Sequence, residues 1–168
     1  MANQTKFQGA PVKVAGTFIS KGKVAPDFQL IKNDLSRFSL ADGRGKRLLL
    51  NIFPSIDTPV CAISVRTFNK MASEMDNTLV LCISKDLPFA QSRFCGAEGL
   101  NNVMTLSDYL CSSSFGLDYG VQMIDGPLNG LFARAVIVIN EKGVVTYSHM
   151  TEDVVNEPDY QGALAALS

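Results

Sequence analysis

The stretch Arg47-Leu48-Leu49-Leu50-Asn51-Ile52-Phe53-Pro54-Ser55-Ile56-Asp57-Thr58-Pro59-Val60-Cys61 decides the fold. Its first seven residues form a run that is apolar apart from Arg47 and Asn51, bounded by turn residues, Asp42-Gly43-Arg44-Gly45 before and Pro54-Ser55 after. Such a run reads as a central strand covered on both faces. Thr58 is an N-cap residue type, and Pro59 suits the first position of a helix. Val60, Ser64, Phe68, Met71 and Met75 then recur at helical spacing and predict an inward face, closed by Asp76-Asn77.

Outward from this strand and helix the chain continues the pattern. Residues 4–14 predict a small hairpin turning at Gly9-Ala10-Pro11, and 28–31 alternate like a strand. Residues 78–84 predict a second buried strand. Residues 90–95 predict a short helix ending at Gly96, and 103–106 a brief strand. Residues 112–119 predict a helix before Gly120. Residues 133–139 and 144–149 predict an antiparallel pair about the turn Glu141-Lys142-Gly143, and Pro158 opens a last helix over 159–167. A right-handed crossover makes the strands at 48–53 and 79–84 parallel. The expected fold is therefore α/β and thioredoxin-like: a central mixed sheet flanked by helices, with an N-terminal β-hairpin. No repeat or linker divides the chain, so one domain over 1–168 is expected.

Composition narrows the function. With 46% hydrophobic and 18% charged residues the chain has the make-up of a folded domain. The net charge is −1, from 15 basic and 16 acidic residues, so there is no basic excess for phosphates, and nucleic acid is not an expected partner. The apolar runs are too short to span a bilayer, and no secretory leader pattern opens the chain. No membrane association and a cytoplasmic location are expected. Cysteines stand at 61, 82, 95 and 111. A static disulfide framework is not expected in that compartment, and the cysteine spacings, with His149 the only histidine, offer no structural metal site. Reactive thiols are the alternative.

Cys61 falls in the first turn of its helix, two residues after Pro59. The first N–H groups of a helix have no intrahelical acceptor, and the dipole places partial positive charge there. Both stabilise an anionic sulfur and favour its use as a nucleophile. The position also lies at the carboxyl end of a central strand, where open α/β sheets carry their sites. A cysteine that merely packs is the competing explanation, and the strand, the proline-bounded loop and the first-turn position argue against it. Cys82, inside Leu79-Val80-Leu81-Cys82-Ile83, reads as a packing cysteine. Arg134, ahead of an apolar strand, reads equally as a solvated strand end or as a functional cation.

Pro54-Ser55-Ile56-Asp57-Thr58-Pro59-Val60-Cys61 matches the peroxiredoxin pattern of Pro, three residues, Thr or Ser, two residues, Cys. NIFPSIDTPVC (51–61), LVLCIS (79–84), DLPFAQSRFCGAEGLNNV (86–103) and DGPL with ARAV (125–136) resemble the thiol peroxidase subfamily, the atypical two-cysteine bacterial peroxiredoxins. The resemblance runs from Phe7-Gln8-Gly9 to Glu157-Pro158-Asp159-Tyr160. It implies a peroxidase that reduces hydrogen peroxide and organic hydroperoxides, with thioredoxin as reductant, a homodimeric state and no cofactor. By position it makes Cys61 the peroxidatic and Cys95 the resolving cysteine, joined as a Cys61–Cys95 disulfide in the cycle. Thr58 becomes the residue whose hydroxyl contacts thiolate and peroxide, Pro54 a shield for the sulfur, and Arg134 the cation on the sulfur and the peroxide oxygens. Cys111 matches nothing in the subfamily and is expected to be incidental; Pro59 stands where other members carry Gly.

Other readings are weaker on the residues themselves. A thioredoxin-type oxidoreductase would use Cys-x-x-Cys, but position 64 is Ser64. A cysteine hydrolase would need His149 as its base. A binding module without chemistry would not need Thr58, Cys61 and Arg134 together. Phe89, Phe94, Phe132 and Met123 are expected as core or interface residues, with an apolar mouth for organic peroxides as a further use.

Overall fold

The run is buried throughout from Leu48 to Phe53 because the sheet it centres is covered on both sides. In the computed structural model, which describes residues 3–110 and 113–168, this run is strand β5 (Arg47–Ile52). Leu48, Leu50 and Ile52 point into one core beside Phe28, Phe115 and Phe132. Leu49 and Phe53 point into the other, beside Val65, Phe68 and Val136. Side chains alternate across a strand, so two apolar faces need an unbroken apolar run.

A two-stranded sheet, β1 (Gln4–Phe7) with β2 (Ala10–Lys13), precedes the main sheet. The main sheet has seven strands in the order β4-β3-β7-β6-β5-β8-β9. These are β3 (Gln29–Ile31), β4 (Arg37–Ser39), β6 (Thr78–Ser84), β7 (Met104–Ser107), β8 (Ala135–Ile139) and β9 (Val145–Met150). β5 runs parallel to β6 and antiparallel to β8, and β8 pairs antiparallel with β9. The expected parallel pair and terminal hairpin are both present, and the sheet is mixed. The helices are α1 (Pro59–Ala72), α2 (Pro88–Glu98), α3 (Phe115–Asp118) and α4 (Tyr160–Ala165). None of them is long and apolar enough to cross a membrane.

Several elements differ from their expected form. The N-terminal hairpin turns at Gln8-Gly9, both with positive φ (51° and 85°), and not at Gly9-Ala10-Pro11. This is the mirror-image turn that two-residue hairpins favour, and Pro11 is tolerated in a strand that has a single neighbour. α1 buries Cys61, Ser64, Val65 and Phe68, so its inward face is rotated from the expected Val60-Ser64-Met71 line. Leu49 of β5, Val80 and Cys82 of β6 and Val136 of β8 share the core into which this face packs. β4 carries one buried residue, Phe38, and is too short for periodicity to reveal. α2 is longer than expected: Gly96 lies inside it, and Gly99 ends it at φ 64°. Ser112 and Cys111 lie outside the described residues, and α3 begins at Phe115.

Candidate active site

Pro54 ends the extension of β5, and the chain turns through Ser55–Thr58 into α1. Thr58 sits at the N-cap with extended backbone (φ −93°, ψ 147°), and Pro59 occupies the first helical position, as expected. The Thr58 side chain does not cap the helix. Its hydroxyl donates to the Ser55 carbonyl at 2.9 Å. Pro59 has no N–H, so the remaining first-turn N–H groups, those of Val60 and Cys61, are left without a side-chain acceptor at a positively polarised helix end.

Cys61 is fully buried on this turn. Arg134 meets it from across the sheet, with Nη2 3.1 Å from the sulfur. The register explains the meeting. Ala135 at the start of β8 pairs with Ile52 at the end of β5, so the residue before Ala135 lies beside the loop after Ile52. Arg134 is 2% exposed, which excludes a solvated strand end. Its Nε donates to the Val154 carbonyl at 2.8 Å, and its own carbonyl accepts from the Thr151 N–H at 3.0 Å. Nη1 is buried without a partner. The segment that holds Arg134 is tied in turn to the N-terminal hairpin. Lys6 N–H donates to the Glu152 carbonyl, Val154 N–H to the Lys6 carbonyl, and the Asp153 carboxylate accepts from Gln8 and Gly9 N–H at 3.1 and 2.7 Å.

A pocket of about 340 Å³ opens beside this pair. Phe7, Pro54, Pro59, Val60, Leu128, Val154 and Val155 give it apolar walls, and Gln8, Thr58 and Arg134 are its polar residues. The structure therefore gathers Arg134, Thr58 and Pro54 on the wall of one small vestibule, with the buried Cys61 sulfur bonded to Arg134 but not itself part of that wall. Phe7, Gln8, Leu128, Val154 and Val155 were not singled out from sequence, because nothing local in a hairpin tip or an irregular segment marks a wall. Phe89, Phe94, Phe132 and Met123 do not line this vestibule. Phe94, Phe132 and Met123 are core residues, and Phe89 stands exposed at the start of α2.

Cys95 lies apart from this cluster. It is half-buried near the end of α2, in a pocket lined by Asn33, Leu100, Val103 and Thr105. Burial pushes its thiol up, against a hydrogen bond from Thr105. Cys61 and Cys95 are both free thiols here. The end of α2 is closed by a Schellman pattern, with Leu100 N–H donating to the Cys95 carbonyl (3.0 Å) and Gly99 N–H to the Gly96 carbonyl (3.4 Å). Arg66 on α1 grips the same turn through two 2.9 Å bonds to Glu98 and sits 5.5 Å over the Phe94 ring. Arg93 bonds Asp57 at 2.9 Å. Cys82 is buried, its thiol pushed up to about 12 by desolvation, as suits a packing cysteine. His149 is exposed on β9. Among the described residues no group of three or more His, Cys, Asp or Glu could hold a metal ion.

The architecture is a thioredoxin-like α/β fold that carries a buried cysteine–arginine pair at the first turn of the helix following its central strand. The sequence profile of the Redoxin family matches residues 20–164. A thiol peroxidase from Mycobacterium tuberculosis (strain ATCC 25618 / H37Rv) is 51% identical over 164 residues, 98% of each chain. One from Mycobacterium bovis is equally similar. Among solved structures, a peroxiredoxin-like protein from Aquifex aeolicus superposes with TM-score 0.91 at 32% identity, covering 99% of this chain and 96% of the other. A thiol peroxidase from Chromobacterium violaceum gives TM-score 0.89 at 22% identity, over 98% and 95%. The chain belongs to the Redoxin family.

Proposed function

We propose that the protein is a thiol-dependent peroxidase that reduces hydrogen peroxide and organic hydroperoxides at Cys61. The observation that carries this is the Arg134 guanidinium 3.1 Å from a fully buried Cys61 sulfur, with a second nitrogen, Nη1, buried without a partner, in a residue that lines an apolar vestibule. A permanent cation at that distance favours the thiolate, and its fork leaves a donor for a second anionic atom. The Thr58 hydroxyl gives its proton to Ser55, so its oxygen is left to accept a hydrogen bond from a peroxide O–H. Pro54 limits water at the sulfur.

The Cys61 thiolate attacks one peroxide oxygen, and the O–O bond breaks. Cys61 becomes a sulfenic acid, and the leaving alkoxide or hydroxide takes a proton to become alcohol or water. Arg134 stabilises the negative charge as it spreads over the two oxygens. The Cys95 thiol then condenses with the sulfenic acid, releasing water and forming the Cys61–Cys95 disulfide. Because Cys95 sits in its own pocket on an ordered helix end, this step requires the end of α2 to open. Thioredoxin, as a dithiol, returns both cysteines to thiols by exchange. The resting enzyme is read as a homodimer of single-domain chains acting in the cytoplasm, with no cofactor.

Hydroperoxide consumption coupled to thioredoxin, thioredoxin reductase and NADPH tests this. Cys61→Ser is expected to abolish turnover, and Cys95→Ser to form the sulfenic acid but stall before recycling. Full turnover by Cys61→Ser would sink the reading. A bridge between other cysteines, found by mass spectrometry after peroxide treatment, would reassign the resolver.

A further inference from the structure

The loop that carries Pro54 and Thr58 has little regular backbone structure, and a carboxylate from another strand end holds it. Asp86 follows β6. Its Oδ1 accepts from the Ser55 hydroxyl at 2.7 Å, and its Oδ2 accepts from Ile56 N–H at 2.7 Å and from the Ser84 hydroxyl at 2.6 Å. Bonds of this length to an ionised acceptor are the strong, charge-assisted kind. Asp86 is itself fixed, since its carbonyl accepts from the Ser107 hydroxyl. Ser84, fully buried, also accepts from Gln91 Nε2 on α2 at 3.1 Å.

Ser55 is the link to the site. Its carbonyl accepts both the Thr58 N–H, at 3.1 Å, and the Thr58 hydroxyl, at 2.9 Å. The direction in which the Thr58 oxygen offers its lone pairs is thus set by the Ser55 peptide, and that peptide is held by Asp86. Asp86 does not line the vestibule and makes no bond to Cys61 or Arg134.

We propose that Asp86 is a positioning residue for the peroxide site, acting through Ser55 on the Thr58 hydroxyl. The proposal rests on the peroxidase reading above. Holding a reacting group within a fraction of an ångström is worth up to about 10²-fold in rate. Asp86→Ala is therefore expected to lower the second-order rate constant for hydrogen peroxide by about 10- to 100-fold. Alkylation of Cys61 by iodoacetamide, which needs the thiol but no peroxide geometry, is expected to change by less than about threefold, a small fraction of that loss.

The deciding measurement is a double-mutant cycle with Thr58→Val, read by stopped-flow peroxide reduction. If Asp86 acts through Thr58, Asp86→Ala in the Thr58→Val background costs little more than Thr58→Val alone. Ser55→Ala, which removes one hydroxyl and leaves the carboxylate, should reproduce part of the loss and show the same non-additivity; it serves if Asp86→Ala does not fold. Additive losses, or equal losses in alkylation and peroxide reduction, would overturn the role of Asp86 and leave the peroxidase reading standing. Absence of peroxidase activity in the wild type would instead remove the reading itself.

Discussion

Arg134 shows how much one residue's surroundings decide. In sequence it stands between two alanines ahead of an apolar strand; in the fold it is 2% exposed and bonded to a thiol. A buried guanidinium needs partners, and it has the Cys61 sulfur and the Val154 carbonyl while Nη1 has none. That unfilled donor fits a site that completes its hydrogen bonding when substrate arrives. Arg134→Gln is expected to lower kcat/KM for hydrogen peroxide by about 10²- to 10³-fold, the usual cost of losing a donor on developing negative charge. Arg134→Lys should recover only part of this, because an ammonium cannot serve Val154, the sulfur and a substrate oxygen with a planar fork. Stopped-flow peroxide reduction, with thermal midpoints to exclude gross unfolding, would measure both.

At the scale of elements the interest lies between α1 and α2. α1 presents Cys61 and α2 carries Cys95, and their contact is secured by ionic and capping bonds at its rim. The bidentate Arg66–Glu98 pair holds the turn that contains Cys95, and the Schellman closure at Gly99 and Leu100 finishes it. Such a partly exposed pair contributes modestly to stability, yet it acts on the segment whose opening the proposed resolution by Cys95 requires. Glu98→Gln is expected to speed conversion of the sulfenic acid to the disulfide by a few-fold and to reduce overoxidation of Cys61 at high peroxide. Rapid alkylation quench with mass spectrometry reads both, and a slower conversion would contradict it. Gly96 looks like a helix stop in sequence, yet α2 continues to Glu98. The positive φ that only glycine takes easily falls at Gly99 instead, where Leu100 can pack behind it.

Across the whole molecule, the N-terminal hairpin serves the site at a distance. It packs on residues 151–155, and that segment supplies Val154 to Arg134 and two walls to the vestibule. Asp153 joins the two. Burial pushes its carboxyl up, but N–H groups of Gly9, Val155 and Gln8 together hold it below its ordinary value. A carboxyl lowered in the folded state contributes stability that is present above its unfolded value and is lost as pH falls through the folded one. Asp153→Asn is therefore expected to lower the Tm by a few degrees at neutral pH and to make unfolding less steep in acid, as thermal scans between neutral pH and pH 3 would show. An unchanged acid limb would mean that Asp153 is not part of the acid response.

The sequence by itself determined the strand–helix core and the chemical candidate within it. A run apolar on both faces has to be a central strand, and a cysteine two residues past a helix-starting proline has to sit on a polarised turn; both follow from local rules of burial and backbone geometry. Thr58, Pro54, Arg134 and Cys95 were legible through resemblance, since their meaning depends on neighbours far along the chain. Tertiary structure alone decided that Arg134 is buried against Cys61, that Thr58 spends its proton on Ser55 and not on a helix cap, that Val154, Val155 and the hairpin wall the vestibule, and that Cys95 faces a different pocket. Strand register and the crossing of chain segments set these distances, and no local pattern of residues encodes either one.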